Sequence, residues 1–126
     1  MEKKPVIILD ANMLYIPFNY SVNLDNLIFD FAGEIEIVVP SSVMLELEGL
    51  AKEDAKAKTV LKFATRYRIV DVSQKGDRGI IECAGKFSDR EVYIATLDKK
   101  LGRIARKFCY KVVTLREGQK LALMER

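Results

Sequence analysis

Short runs of β-branched and other apolar residues alternate with helix-like segments along the whole chain. The runs occupy residues 6–9, 35–39, 67–72, 92–96 and 111–115. Between them, apolar residues recur at the three- and four-residue spacing of amphipathic helices. Strands that alternate with helices predict a parallel sheet covered on both faces. We therefore expect an α/β fold, with a doubly wound parallel β-sheet of about five strands flanked by helices.

The whole chain, residues 1–126, is predicted to form a single domain. This length suits one domain, and 49% apolar with 31% charged residues is typical of globular proteins. We expect an ordered core at about residues 4–116, and from Glu117 onward a short helix or a loose tail. The longest apolar run near the start, residues 6–9, is too short for a signal sequence or a membrane span. We therefore expect a cytoplasmic protein with no membrane partner.

The sequence contains no histidine. This excludes Ser-His and Cys-His nucleophilic schemes and removes the commonest zinc ligand. A hydrolase of this composition would depend on carboxylates and a hard metal ion. The two cysteines, Cys83 and Cys109, have no paired spacing, so we predict two buried thiols in a reducing compartment and no disulfide.

Four acidic residues follow the ends of predicted strands or open the helices that come next: Asp10, Glu46, Asp77 and Asp98. In open parallel sheets, ligand sites lie outside the carboxyl ends of the strands. We therefore expect these four side chains at one edge of the sheet. Two unit charges 4 Å apart repel by about 4 kcal/mol at an effective dielectric of 20, so such a cluster needs cations. Oxygen ligands without His or Cys favour Mg²⁺ or Mn²⁺ over Zn²⁺.

Each of these acids also has an ordinary structural interpretation. Asp77 and Asp98 stand where helix caps are expected, and Asp10 would simply end a strand. Glu46 and Glu48 flank the apolar stripe of their helix symmetrically, so periodicity does not choose between them. The residues alone give a carboxylate metal site about the same weight as these structural roles.

The four acids lie within four segments that occur in a characteristic order. The segments are residues 6–12 (VIILDAN), 39–47 (VPSSVMLEL), 76–82 (GDRGIIE) and 95–101 (ATLDKKL). Together they resemble the motifs of PIN domain ribonucleases, and the resemblance covers essentially the whole chain. It is strongest to archaeal-type proteins that are similar to the PIN domain of ribosomal-RNA processing factors. The match favours Glu46 over Glu48.

The resemblance implies a metal-dependent endoribonuclease that hydrolyses RNA phosphodiesters, with rRNA processing as one role. It implies that the catalytic, metal-binding residues are Asp10, Glu46, Asp77 and Asp98, with Mg²⁺ or Mn²⁺ as the cofactor. Asn12 and Thr96 would orient these carboxylates through hydrogen bonds. PIN-like proteins often form homodimers, so a homodimer is a further expectation. An antitoxin or a ribosome-assembly partner is left open.

The sequence departs from the family pattern at two of the motifs. The third often has an acidic pair, but Arg78 and Gly79 follow its aspartate here. The fourth often has Asn where this chain has Leu97. These changes leave two alternatives open: a site that holds one metal ion instead of two, or an enzyme with reduced activity. Glu82 and Asp89 are nearby acids that would compensate if they reached the site.

Six basic residues and no acid occur between Lys99 and Lys111. Five of them follow Asp98 on the outer faces of a predicted helix, and we expect these to bind RNA: Lys99, Lys100, Arg103, Arg106 and Lys107. A solvated helix face is an equally supported interpretation.

The stretch after Asp10 is rich in large apolar side chains. Its aromatic residues, Tyr15, Phe18 and Tyr20, are predicted to pack in the protein, with base stacking as the less favoured role. The neighbouring aliphatic residues suggest a partner surface: Met13, Leu14 and Ile16.

Three other functions are weighed against the ribonuclease. A catalytically weak RNA-binding or scaffold protein of the same fold would explain the altered third motif. A toxin of a toxin–antitoxin pair would share the chemistry. A response-regulator-like phosphoacceptor needs an Asp ending the third strand and a Lys after the fifth. Asp71 is near the first position, but Arg116 stands at the second, so this alternative fits poorly.

Overall fold

A six-stranded sheet forms the centre of the computed structural model, which describes residues 3–124. The strands are β1 (Val6–Leu9), β2 (Glu36–Pro40), β3 (Arg68–Val70), β4 (Val92–Ala95), β5 (Lys111–Arg116) and β6 (Lys120–Leu123). Their order is β3-β2-β1-β4-β5-β6, with β1 to β5 parallel and β6 antiparallel to β5. The doubly wound, mostly parallel α/β fold expected from the sequence is confirmed, with one strand more than expected.

Seven helices among the described residues connect these strands. They are α1 (Ala11–Leu14), α2 (Ile16–Tyr20), α3 (Leu24–Ala32), α4 (Ser41–Ala51), α5 (Ala55–Ala64), α6 (Gly76–Gly85) and α7 (Lys99–Lys107). Because crossovers between parallel strands are right-handed, the β1–β2 and β4–β5 connections lie on opposite faces of the sheet. β1 is fully buried, as expected for a central strand covered on both sides. None of the helices in residues 3–124 is long and apolar enough to cross a membrane.

The strand order reverses between β1 and β4, which lie side by side at the centre of the sheet. Leu9, the last residue of β1, pairs with Ala95, the last residue of β4. The crevice outside such a reversal point is where open parallel sheets form ligand sites. Asp10 and Thr96, which directly follow these two strands in the sequence, therefore lie at this point.

The first part of the segment after Asp10 is packed inside the protein and is not a partner surface. That expectation was wrong for three residues that are fully buried: Met13, Leu14 and Ile16. Phe18 meets Phe63 edge to face, with 5.6 Å between ring centroids. The Tyr20 ring lies against the turn at Gly118. Both rings therefore make packing contacts, although 39% of Phe18 and 49% of Tyr20 are exposed, and base stacking stays an untested prediction.

The C-terminal segment is a hairpin, so the predicted short helix or tail was wrong. Glu117 and Gly118 have φ values of 56° and 66°, the positive values that tight hairpin turns need at both central residues. The Gln119 N–H donates to the Arg116 carbonyl oxygen and closes the turn. The Glu-Gly pair lacks the Asn-Gly or Asp-Gly signature of such turns, which is why the hairpin escaped prediction.

The Ser-Ser pair after Pro40 suggests a serine cap at the start of α4, but no serine side chain caps this helix. Pro40 is the N-cap residue and makes no side-chain cap bond. The Ser41 hydroxyl instead accepts from the Val72 N–H at 2.9 Å and donates to the Val72 carbonyl oxygen at 3.3 Å. It therefore ties the beginning of α4 to the chain that leaves β3.

The cysteines were predicted to be buried, and this is correct for only one of them. Cys83 is fully buried in α6, but Cys109 is exposed, and both thiols are free. Cys109 has a φ of 67° and follows the end of α7, where a left-handed residue often terminates a helix.

Candidate metal centre

Asp10 lies at the carboxyl end of β1 and caps the short helix α1. Its Oδ1 accepts a hydrogen bond from the Ala11 N–H at 2.8 Å. Its Oδ2 accepts from the Thr96 hydroxyl at 2.7 Å and from the Asn12 Nδ2 at 3.3 Å. These three donors fix the carboxylate at the point where the strand order reverses.

Thr96 and Asn12 join the end of β1 to the loop between β4 and α7. Thr96 is fully buried, and its hydroxyl oxygen accepts from the Asp98 N–H at 3.0 Å and from Asn12 Nδ2 at 3.3 Å. Asn12 Oδ1 accepts from the Leu97 N–H at 3.0 Å. One hydroxyl thus holds both the Asp10 side chain and the backbone of Asp98.

Asp98 is the N-cap residue of α7. Its Oδ1 accepts from the Lys100 N–H at 2.9 Å and from the Leu101 N–H at 3.4 Å. Within residues 3–124, its second oxygen has no hydrogen-bond donor. The capping role suggested by the sequence is therefore observed, and it leaves one carboxylate oxygen for a ligand.

Asp77 lies in the first turn of α6 but does not cap it. Lys75 is the N-cap residue, so the capping interpretation of Asp77 was wrong. No donor among the described residues reaches the Asp77 carboxylate. Glu46 lies in the second turn of α4, and its electrostatic neighbours are Asp10 and Asp77. Glu48 comes about 200° further around the same helix, away from these neighbours.

A glycine allows α6 to approach α4 closely at this place. A Cβ atom added to Gly79 would lie 2.4 Å from Ser42 Oγ and 2.6 Å from the Gln74 carbonyl oxygen. The Ser42 hydroxyl is buried and has no hydrogen-bond partner in the part of the chain that the structure describes. Gly79, which follows Asp77 by two residues, therefore sets how near Asp77 comes to α4 and Glu46.

Charges within this set of carboxylates raise the pKa values of two of its members, Asp10 and Glu46. Burial raises the pKa of Asp10, and the charges of Asp77 and Asp98 raise it further, against the lowering effect of the Thr96 and Ala11 hydrogen bonds. Burial also raises the pKa of Glu46, as do the charges of Asp10 and Asp77. The structure thus brings Asp10, Glu46, Asp77 and Asp98 into one electrostatic neighbourhood.

Acids at the opposite edge of the sheet, in contrast, are paired with basic side chains. Glu36 accepts from Arg68 at 2.9 Å and from Arg90 at 2.6 Å, and these arginines lower its pKa. Asp89 is paired with Lys3, which lowers the pKa of Asp89. All the ion pairs found in residues 3–124 involve acids outside the four-carboxylate cluster.

Comparison with known proteins assigns the chain to a family. The sequence model described as "PIN like domain" matches residues 7–118. The chain belongs to the PIN-like domain family. The solved structure of the PIN domain endonuclease Utp24 superposes with a TM-score of 0.78 and 20% identity, covering 96% of this chain and 92% of that one. This likeness shows the same fold. Among curated proteins, none matches the sequence significantly.

The donor chemistry of this PIN-like domain suits a hard divalent cation. The four side chains offer only carboxylate oxygens, the ligands that Mg²⁺ and Mn²⁺ prefer. In residues 3–124, however, no three His, Cys, Asp or Glu side chains are close enough together to hold a metal ion. The carboxylates are neighbours that repel one another, and a bound cation would have to draw them together.

Glu82 has a structural role that its sequence position did not reveal. Its carboxylate accepts from the Ser73 N–H, the Ser73 hydroxyl and the Gln74 N–H, each at 3.0 Å, which lowers the pKa of Glu82. It therefore anchors the loop before α6 instead of supplementing the cluster. Asp89, paired with Lys3, does not supplement it either.

The basic helix α7 begins at this site. Four of its five cationic residues are exposed, and Arg106, which is half-buried, donates to the Met124 carbonyl oxygen at 3.3 Å. Lys99, Arg103 and Arg106 line a pocket toward β5 and β6, whereas Ile104 lines a separate groove toward α6. Lys100 and Lys107 line neither of these two cavities. Three of the five cations of α7 therefore share one pocket, and the side of the helix that faces α6 has an apolar residue.

Thr96→Val is expected to destabilise the protein by about 1–3 kcal/mol, because it leaves the part-buried Asp98 N–H without an acceptor and removes a donor to Asp10. Chemical denaturation measures the change. Thr96→Ser keeps the hydroxyl and is the matched control, for which we expect a much smaller loss. Equal losses in the two variants would mean that the methyl group, and not the hydroxyl, is what this position requires.

Proposed function

We propose that this PIN-like domain is a Mg²⁺- or Mn²⁺-dependent endoribonuclease whose four clustered carboxylates hold the metal. The observation that carries the proposal is that Asp10, at the strand reversal point, has Asp77 and Asp98 as charged neighbours, that Glu46 has Asp10 and Asp77, and that none of the four has a cationic partner in the described residues. Four like charges gathered in this way cost folding free energy, and a ligand of opposite charge offsets that cost.

The side chains of the site would divide the work between them. Asp10, Glu46, Asp77 and the free oxygen of Asp98 are the proposed metal ligands. A bound divalent cation would supply an activated water and would stabilise the charge that develops on the phosphate. Thr96 and Asn12 hold Asp10 in one orientation and fix the loop that presents Asp98, so that these two ligands are held in place while Glu46 and Asp77 would move toward the cation.

RNA is the proposed substrate, with a ribosomal RNA precursor as the class implied by the sequence resemblance. A phosphodiester must approach a negatively charged site, which requires cations nearby. The helix that Asp98 caps supplies five of them: Lys99, Lys100, Arg103, Arg106 and Lys107. The fold shared with the PIN domain endonuclease Utp24 supports the same class of reaction.

A weakly catalytic RNA-binding protein is the second candidate. Arg78 and Gly79 occupy the place where the family often has a further acid, and Glu82 and Asp89 are engaged elsewhere. Within residues 3–124, neither of these two acids therefore supplies a fifth carboxylate to the site. This favours one metal ion over two if the protein is an enzyme.

The test is RNA cleavage by the purified protein in Mn²⁺, Mg²⁺ or EDTA, with Glu46→Gln and Glu48→Gln compared side by side. Both changes remove one charge from α4, but only Glu46 has Asp10 and Asp77 as neighbours. We expect cleavage of a labelled structured RNA in Mn²⁺ or Mg²⁺ and none in EDTA. Glu46→Gln should lower the rate at least about tenfold, and Glu48→Gln should leave it unchanged.

Two results would contradict the nuclease proposal. Binding without cleavage in every metal would support the second candidate. Cleavage that continues in EDTA, or that Glu46→Gln leaves intact, would mean that the activity does not come from the four-carboxylate site.

A further inference from the structure

A pocket of about 390 Å³ lies between α7 and the β5–β6 hairpin. Three of its lining residues are the cations Lys99, Arg103 and Arg106, which come from the same side of α7. None of its lining residues is acidic, and neither Lys99 nor Arg103 forms an ion pair within residues 3–124. The lining side chains among the described residues therefore carry a net positive charge, which favours an anionic ligand.

The rest of the pocket wall is mostly apolar. Leu97, Leu115 and Met124 line it, together with Thr114. The Met124 sulfur packs against Gly102, 2.4 Å from the position that a Cβ atom on that glycine would take. Cations beside an apolar wall match a nucleotide, which combines a phosphate with a ribose and a flat base.

The position of the pocket relates it to the carboxylate cluster. Leu97 and Lys99, which line the pocket, are the residues on either side of Asp98. The pocket is therefore continuous with the loop that presents a proposed metal ligand. A strand whose phosphodiester is at the cluster would place a neighbouring nucleotide at this pocket.

We propose that this pocket binds one unpaired RNA nucleotide beside the phosphodiester that is cleaved, an inference that rests on the proposed nuclease function. Arg103 and Lys99 bind its phosphate, and the apolar wall contacts its base or ribose. Bases in a duplex are stacked inside and hidden from a concave apolar wall, so only an unpaired nucleotide makes both contacts. The preferred substrate is then RNA that is single-stranded next to the cleavage point.

The test is equilibrium binding in EDTA, where the proposed chemistry is absent, of a fluorescent single-stranded oligoribonucleotide and of the same sequence as a duplex. We expect Arg103→Gln to reduce the slope of log K against log salt concentration for the single strand by about 0.7. At 0.1 M salt this corresponds to binding that is about fivefold weaker. Lys107→Gln, outside the pocket, should cost less. Lys58→Gln on α5 removes an equal charge far from α7 and should change nothing.

The duplex distinguishes a pocket from a general basic surface. We expect the wild type to bind the single strand more tightly than the duplex. The loss of affinity caused by Arg103→Gln should also be larger for the single strand. Equal losses for single strand and duplex, or equal losses for Arg103→Gln and Lys107→Gln, would overturn the inference. Arg103 is exposed, so unchanged thermal unfolding of the variant checks that the fold is intact.

Cleavage assays on the same proteins separate this inference from the function on which it rests. Pocket-specific binding without metal-dependent cleavage would support the pocket and reject the nuclease. Cleavage in Mn²⁺ or Mg²⁺ with no difference between Arg103→Gln and Lys107→Gln would support the nuclease and reject the pocket.

Discussion

Asp77→Asn is expected to stabilise the metal-free protein by about 0.5–1 kcal/mol while it lowers RNA cleavage at least about 100-fold. The carboxylate of Asp77 has no hydrogen-bond donor in residues 3–124, so the isosteric amide loses no contact. It removes a charge that raises the pKa values of both Asp10 and Glu46. Unfolding in EDTA measures the first effect, and turnover in Mn²⁺ measures the second.

The stability difference should depend on pH in one direction. The pKa values of Asp10 and Glu46 are raised above 3.8 and 4.5 in the folded protein, so folding favours their protonated forms. Stability is therefore lost as the pH rises from below these values through the raised ones. In Asp77→Asn this loss is smaller, so the stability of the variant relative to the wild type should increase as the pH rises from about 4 through the raised pKa values.

Added metal should make the wild type more stable than Asp77→Asn, the reverse of their order in EDTA. A cation at 100 times its Kd stabilises the wild type by about 2.7 kcal/mol, and the variant should gain much less. Asp30→Asn, an exposed aspartate of α3, is the matched control and should change neither quantity. An Asp77→Asn protein with the full metal-induced shift would exclude Asp77 as a ligand.

Gly79→Ala is expected to destabilise the protein by about 1–3 kcal/mol, although alanine is the better helix former. The new Cβ atom would lie 2.4 Å from Ser42 Oγ and 2.6 Å from the Gln74 carbonyl oxygen, so α6 must move away from α4. Because Asp77 is carried on α6, cleavage should fall with stability. Chemical denaturation and turnover are measured on the same preparation.

Two comparisons show whether the close approach is the cause. Gly85→Ala changes the same helix where a Cβ atom meets nothing within 4 Å, and it should be neutral or stabilising by about 0.5–1 kcal/mol. Ser42→Ala removes a hydroxyl that has no partner in the described residues, and in the double variant it should restore part of the loss. Strict additivity of the two changes would argue against a steric origin.

The sequence by itself determined the order of the elements and therefore where the acids had to be. Apolar runs and helical periods along the chain specified the parallel sheet, because each strand buried on both faces must be nearly all apolar. The end of β1 and the end of β4 were visible as the points where these runs stop, before Asp10 and Asp98. The family motifs then favoured Glu46 over Glu48, which periodicity did not separate.

The tertiary structure decided the partners that lie far apart in sequence. Glu82 accepts hydrogen bonds from the loop before its own helix, Ser41 bonds to Val72, and Asp89 pairs with Lys3, which is 86 residues away in the sequence. It also decided that residues 120–123 form an edge strand against β5. Local periodicity describes one element at a time, whereas these contacts depend on how elements pack. For the same reason, only packing showed which cations of α7 share a pocket and how closely Gly79 lets two acidic helices approach.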